Sequence, residues 1–298
     1  MDGSAHFPNQ WWFLQEKNKM ESNISIIILT YNEEVNLTKC LESILNLSND
    51  VIVVDSYSTD KTLDIAKKYG ARVVQHEFKN QATQFNWALD NIEIKHEWIL
   101  RLDADEVITK ELEKEIIETL PRVADDVSGF YIKRKVYFMG RWIKHGAYYP
   151  TWILRLFRKN KARSEEREMD EHIVLLQGRT ANFKNDFIDE NLNELSWWIE
   201  RYNKYSTREV NAILAQNESV SEKLDGSQTE RKRWLKNNLY YQSPRFLRAF
   251  LYFIYRYFFR FGFLDGMEGL AFHFLQGFWY RFLIDAKLYE TEKIIRGK

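Results

Sequence analysis

Three short polar clusters, each at the end of an apolar run, hold the residues whose types and spacing could do chemistry. The first is Asp103-Ala104-Asp105-Glu106, directly after Trp98-Ile99-Leu100-Arg101-Leu102. Two carboxylates separated by one small residue can present oxygens to a hard divalent cation. Mg²⁺ or Mn²⁺ prefers such ligands and completes its shell with waters and substrate phosphates. The competing reading is a solvated acidic turn ahead of a helix over Val107 to Leu120. The second cluster, Thr30-Tyr31-Asn32-Glu33-Glu34, ends the run that begins at Ile24. The third, Asp55-Ser56 with Ser58-Thr59-Asp60 beyond it, ends Val51-Ile52-Val53-Val54. There is no Gly-x-x-x-x-Gly-Lys-Ser/Thr loop, Gly-x-Gly-x-x-Gly turn or Gly-x-Ser-x-Gly elbow, which disfavours a P-loop nucleotidase, a dinucleotide dehydrogenase and a serine hydrolase of the elbow type.

The elements that must position these clusters alternate. Ile24–Thr30, Val51–Asp55, Ala71–Gln75 and Trp98–Leu102 read as buried strands. Glu33–Leu45, Lys61–Tyr69 (with Thr59-Asp60 as cap and Gly70 as stop) and Ala82–Ile92 read as helices. This β-α-β-α-β-α-β order predicts an α/β fold with an open, mostly parallel sheet flanked by helices, and such sheets bind ligands at the carboxyl ends of their strands. All three polar clusters fall there. Residues 127–190 change texture, with strand-like alternation at 129–138 and 153–157. From Asn191 the chain reads as helical to its end, with breaks near Asp225-Gly226, Ser243-Pro244 and Gly262–Gly266. The expected domains are an N-terminal arm (1–22), a catalytic domain (23–190) and a helical C-terminal region (191–298).

The 298 residues carry 43 Lys+Arg and 43 Asp+Glu, but the neutral total conceals a split. Residues 227–298 hold thirteen Lys/Arg, six Asp/Glu and twenty of the 46 aromatic side chains, so the rest of the chain is acidic. Phe246–Phe263 has ten aromatics in eighteen residues. As one helix it would run about 27 Å, with Arg245, Arg248, Arg256 and Arg260 in a stripe opposite an aromatic face. That composition predicts a helix lying in an anionic membrane interface over 245–282. The alternative is a helical subdomain packed on the body or in an oligomer interface. No run of about 18 uncharged apolar residues predicts a spanning helix, and no secretory signal is recognisable, so a cytoplasmic location follows. The single cysteine, Cys40, leaves no intrachain disulfide.

With these motifs in place, Ile26–Glu106 resembles the inverting glycosyltransferases of family 2, which have the GT-A fold. Tyr149–Arg158, Asp170-Glu171-His172, Gly262-Phe263-Leu264-Asp265-Gly266 and Ala286–Glu290 resemble the branch that adds glucose by a β-1,4 linkage to the lipopolysaccharide inner core. The resemblance covers about residues 24 to 290. It implies that Thr30, Tyr31 and Glu33 line a base and ribose pocket, and that Asp55 accepts a hydrogen bond from the base, as a uracil N–H would give. It also implies that Asn86, Asp103 and Ala104 lie on the nucleotide-sugar side, and that Asp105, with Asp103, holds Mg²⁺ or Mn²⁺ against the diphosphate. Many relatives have arginine where Phe85 stands, and Phe85 reads as packing.

Inverting transfer needs a carboxylate to take the acceptor's proton. The resemblance assigns this role to Glu171 or Asp170, leaving the other as a turn residue. Trp152, Arg155 and His172 are implied at the acceptor, with Arg155 equally readable as the ion-pair partner of a carboxylate on the sheet edge. The implied partners are a nucleotide sugar (UDP-hexose), a lipid-anchored saccharide and an anionic membrane surface. The implied place is the inner face of the cytoplasmic membrane, held peripherally, with no nucleic acid and with an oligomer open. Competing readings are a polyprenyl-phosphate glycosyltransferase, a sugar nucleotidylyltransferase (against which stands the lack of a Gly-rich first loop) and a non-catalytic membrane-bound scaffold of the same fold.

Overall fold

The computed structural model describes residues 23–165, 171–216 and 240–296. The expected arm over 1–22, Asp170 and the break near Asp225-Gly226 lie outside these residues. The β-branched runs form β1 (Ile24–Thr30), β2 (Asp50–Asp55), β3 (Arg72–Gln75) and β4 (Trp98–Asp103), paired in parallel in the order β3-β2-β1-β4. Alternate side chains point to opposite faces of a strand, and β1 is buried on both. Ile24, Ile26 and Ile28 pack with Leu37, Cys40 and Leu41 of α1 (Leu37–Ser43) and Ala66 of α2 (Thr62–Lys68). On the other face Ile27, Ile52 and Val54 pack with Phe85 and Ala88 of α3 (Gln81–Asn91). β2 and β3 extend the sheet on one side of β1 and β4 on the other. The strand order therefore reverses between β1 and β4, which opens a crevice at their carboxyl ends.

The sheet continues through β8 (Thr151–Arg158), β6 (Val127–Phe138), β11 (Arg179–Glu190) and β5 (Glu106–Ile108), with β7 (Arg141–Trp142) paired to β6. β8 runs antiparallel to β4 and β6, β11 runs parallel to β6, and β5 runs antiparallel to β11. A mixed extension is thus joined to the expected parallel half. β9 (Ala162–Ser164) and β10 (Ile173–Leu175) form a separate pair. The helix expected from Val107 begins later, as α4 (Lys110–Thr119), capped by Thr109, whose hydroxyl accepts from Leu112 N at 3.2 Å. The reason is tertiary: Glu106–Ile108 pair with Asp189–Phe187 of β11.

The C-terminal part comprises α5 (Leu195–Gln216), α6 (Leu247–Ile254), α7 (Gly266–Phe272) and α8 (Tyr280–Arg296). A π-helical turn lies at Tyr255–Phe259, a 3₁₀ turn at Gly262–Asp265 and a second π-helical stretch at His273–Trp279. α5 packs against α8 through Val210, Tyr280, Ile284 and Leu288. Phe138, Ile143, Trp198 and Phe272 join this part to the sheet.

Two expectations are corrected here. Phe246–Phe263 is not one helix: the chain turns at Phe261, with φ 60°. Gly262 then passes so close to His273 that a Cβ would lie 2.6 Å from its ring, and the Arg260 carbonyl accepts the Gly146 N–H at 2.9 Å. The arginine stripe is also split: Arg248 and Arg256 face inward, Arg245 is ion-paired at the surface and Arg260 is exposed. Arg248 is buried against Asp285 of α8, Arg256 lies 3.7 Å over the Tyr148 ring and donates to the Gly146 carbonyl, and Arg245 forks onto Glu292. Carboxylates and carbonyls satisfy these guanidiniums, so the aromatic face is left outside. Among the described residues no helix is long and apolar enough to cross a membrane.

Candidate active site

Two loops at the carboxyl ends of β1 and β2 brace one another. The backbone N–H groups of Asn32, Glu33 and Glu34 donate to Ser58 Oγ, Thr62 Oγ1 and Asp60 Oδ2 at 2.8, 2.8 and 3.1 Å. In return Asn32 Oδ1 accepts from Thr59 N, and Glu34 Oε2 from Lys61 N. These bonds brace the turn over 33–36 that leads into α1, which starts at Leu37. They also hold Asn32 at φ 54° and Tyr57 at φ 61°. Such backbone is costly outside glycine and persists where surroundings enforce it. Asp55, fully buried, accepts from Thr30 Oγ1, Ser58 N, Ser58 Oγ and Gln75 Nε2. Four donors fill the carboxylate's usual capacity, so a base N–H binding there must displace one. Tyr31 and Tyr57 stand exposed after the paired ends Thr30 and Asp55.

Beside these loops lies a network of carboxylates and guanidiniums. Asp103 ends β4 and accepts from Arg101 and Arg155, each at 3.0 Å. Arg155 also pairs with buried Glu106, whose other oxygen accepts the Asp103 N–H at 3.0 Å. A β-bulge in β8 falls at Arg155, since Phe130 pairs with Leu156 and Tyr131 with Leu154; bulges re-aim side chains in this way. Asp105 is held through its backbone, whose carbonyl accepts Glu190 N at 3.0 Å, and through Oδ2, which accepts from Asn191 Nδ2 at 3.0 Å. Arg201 of α5 reaches within 3.9 Å of the same oxygen.

Burial and charge split the acids. Burial raises Asp103, but Arg101 and Arg155 outweigh it and bring its pKa to about 2. Burial, then the neighbouring Asp105 carboxylate, pushes Glu33 up to about 7, opposed by Asn36, which donates to it at 2.7 Å. Burial lifts Asp189 to about 6 against the pull of Arg134. Glu33, Asp103 and Asp105 therefore share one field at the crevice between β1 and β4.

The remaining expected residues fall as follows. Ala104 is buried between the two aspartates. Asn86 holds β9, its amide exchanging two hydrogen bonds with the Ser164 backbone at 2.9 and 3.0 Å. Phe85 is buried, packing edge-on against Phe157 with the Arg101 guanidinium over its ring. Arg155 is committed to Asp103 and Glu106, the ion-pair reading. Trp152 lies under Lys133, which also covers Tyr149. The His172 carbonyl accepts Glu165 N at 2.9 Å, leading from β9 into the segment before β10. Glu171 is close enough to act on Arg101: burial lowers that guanidinium's pKa, while Asp103, Glu106 and Glu171 oppose the shift. Linear reading missed Arg101, Arg201, Asn191 and Asp189, and gave Glu106 no role of its own within the acidic cluster. Arg101 and Glu106 carried a local signal, being within two residues of Asp103 or Asp105. Arg201, Asn191 and Asp189 are brought in by β11 and α5 from more than eighty positions away.

The donor set fits a hard divalent cation. Asp103 stays ionised, Asp105 Oδ1 carries no hydrogen bond among the described residues, and the two side chains are 25% and 16% exposed. No group of three or more His, Cys, Asp or Glu among the described residues could hold an ion unaided. An ion on two aspartates would complete its shell from phosphates and water, as Mg²⁺ does. Among the described residues Arg155 Nε and Nη1 and Arg101 Nε are buried without hydrogen-bond partners, and buried N–H groups of this kind call for water or an anion.

The sequence profile of "Glycosyl transferase family 2" matches residues 25–185. The chain belongs to this family. An uncharacterized family relative from Rickettsia bellii, named as a glycosyltransferase, is 42% identical over 97 residues, 33% of this chain and 32% of its own. The chain spans only about a third of the length of the first curated relatives it matches. The lipopolysaccharide core biosynthesis glycosyltransferase LpsC of Rhizobium meliloti is 28% identical over 202 residues, covering 62% of this chain and 69% of that one. Among solved structures, the mannosyltransferase PcManGT of Pyrobaculum calidifontis superposes with a TM-score of 0.52 over 90% of this chain and 87% of that one, at 12% identity. This likeness shows the fold, GT-A, for the family-2 glycosyltransferase described here.

Proposed function

We propose that this family-2 glycosyltransferase moves a hexose from a nucleotide sugar, UDP-hexose, to a hydroxyl of a membrane-anchored glycan of the lipopolysaccharide core type, with inversion and with Mg²⁺ or Mn²⁺. The observation that carries this reading is the convergence of Glu33, Asp103 and Asp105 at the crevice between β1 and β4, beside the braced Thr30–Asp55 strand ends. LpsC supports the acceptor class through its name. PcManGT, whose crystals hold GDP-Man and Mn²⁺, supports a nucleotide-sugar donor and a divalent metal for this fold.

On this reading Asp105 and Asp103 hold the divalent ion, which would neutralise charge developing on the departing diphosphate. Thr30, Tyr31, Glu33 and Asp55 receive the nucleoside. The acceptor oxygen attacks the anomeric carbon as the bond from that carbon to the phosphate oxygen breaks. Glu171 takes the hydroxyl proton, with Asp170 its neighbour, and the nucleoside diphosphate leaves. The electrostatic reach of Glu171 to Arg101 supports a carboxylate of this segment near the donor site. Residues 23–190 are the catalytic unit, and 191–298 hold the enzyme peripherally at the inner face of the cytoplasmic membrane.

The test is release of nucleoside diphosphate from UDP-hexoses, with GDP-mannose as comparison, in extracts containing lipopolysaccharide acceptors. Activity must need Mg²⁺ or Mn²⁺ and disappear in Glu171→Gln. Full activity of Glu171→Gln and Asp170→Asn would favour a lipid-phosphate acceptor, which needs no base. No turnover of any nucleotide sugar would refute the reading.

A further inference from the structure

A cavity of about 310 Å³ lies on elements that do not carry the carboxylate network. Lys144, His145 and Tyr149 form one wall; Phe259, Arg260 and Phe261 form the other. Both walls are fixed. Asp265 accepts the His145 backbone N–H at 2.9 Å and its ring Nδ1 at 2.6 Å. The Gly146 N–H donates to the Arg260 carbonyl, and Arg256 grips the Gly146 carbonyl at 2.7 Å. Buried His273 fills the space left by Gly146 and Gly262: a Cβ on Gly146 would lie 2.1 Å from its ring. The Gly-Phe-Leu-Asp-Gly stretch thus serves to build this cavity.

Neither of its two cations is ion-paired among the described residues, Lys144 lying 5.4 Å over the Trp142 ring. Lys144 and Arg260 are exposed and have no carboxylate partner among the described residues, while Arg245, Arg248 and Arg281 are all ion-paired. No acidic residue occurs between Arg245 and Leu264. Continuous in sequence with the cavity wall is the outward aromatic face, with Phe258, Phe259, Phe263, Leu264 and Met267 between 45% and 74% exposed. Exposed apolar surface on this scale marks an interaction face. Self-association through it would bring the Lys144 and Arg260 rims of two copies together, which is unfavourable for like charges. A surface with an apolar interior and negative headgroups matches both features.

We propose that the Lys144–Arg260 cavity receives the phosphate of an anionic membrane lipid while Phe258, Phe259, Phe263, Leu264 and Met267 enter the interface beside it. The inference deepens the membrane location proposed above and is independent of the donor. It keeps the aromatics toward the lipid and replaces the buried part of the arginine stripe by Arg260 and the catalytic domain's Lys144 at their edge.

The test is co-sedimentation of the full chain with vesicles of phosphatidylcholine alone or mixed with phosphatidylglycerol. At about 1 kcal/mol per basic residue near an anionic surface, Lys144→Ala with Arg260→Ala should weaken binding to the mixed vesicles roughly 30-fold and leave weak binding to neutral ones unchanged. Phe259→Ser with Leu264→Ser should abolish both. Each variant should keep the wild-type melting temperature and bind nucleotide sugar normally, so failure of the donor reading appears separately. Wild-type binding by the Lys144/Arg260 variant would overturn the proposal. So would a dimer in light scattering that the Phe259/Leu264 variant dissociates without any vesicle binding. Thermal stabilisation by inorganic phosphate with no vesicle binding would also overturn it, making the cavity a site for soluble anions.

Discussion

Replacing Glu33 by glutamine should make the ligand-free enzyme more stable, by an amount that grows as pH rises from about 4.5 to 7. Burial first, and then the charge of the Asp105 carboxylate, lifts the Glu33 pKa from 4.5 to about 7. The folded state therefore holds more protons than the unfolded state between these values. Stability falls as pH rises through that window, and the penalty is complete above it. A shift of about 2.5 units at 1.36 kcal/mol each amounts to about 3 kcal/mol at pH 8, and to less than about 1 kcal/mol at pH 5. Glutamine removes the charge and keeps an amide oxygen for Asn36. Thermal unfolding of Glu33→Gln without nucleotide or metal should show a Tm on the order of 5 °C above wild type at pH 8, with most of the gain gone at pH 5. An unchanged Tm at pH 8, or an equal gain at both pH values, would refute the crowding of Glu33 with Asp105. The stabilised variant should also bind nucleotide sugar worse, because the same crowding prepares the site for a cation.

Arg155→Leu leaves Asp103 and Glu106 without their shared partner. Loss of one member of a buried pair costs about 3–5 kcal/mol, which urea denaturation should register, with Arg155→Lys recovering part. Asp285→Ala should cost a similar amount by stranding buried Arg248; a change under about 0.5 kcal/mol would mean that the arginine stripe faces solvent after all. Gly146→Ala places a methyl on a backbone at φ 68° and into the His273 ring. It should cost on the order of 3 kcal/mol, with part restored by adding His273→Ala, both read by thermal melts.

The parallel half of the sheet was legible in the sequence because local pattern and burial agree there: apart from Ser25, β1 is a run of β-branched and leucine residues enclosed on both faces. The carboxylates at the strand ends were legible for the same reason, since the end of an apolar run marks the end of a strand. Local pattern failed where distant chain decides. Glu106–Ile108 is a strand because β11 comes to it. The arginine spacing along 245–260 was read as one face of a helix, but only Arg248 and Arg256 share a buried face, and Arg245 and Arg260 flank the helical residues. Which way that face points depended on Asp285 and Tyr148, which no helical wheel contains. Arg201 reaches Asp105 from a helix whose own sequence reads as structural.

Isothermal titration of the full chain with UDP-glucose tests the central claim most directly, in the presence of Mn²⁺, in the presence of EDTA, and in Asp105→Ala with Mn²⁺. The account predicts binding in the first case and its loss in the other two. Equal binding in all three would place the donor elsewhere and contradict the assignment of Asp103 and Asp105 to the metal.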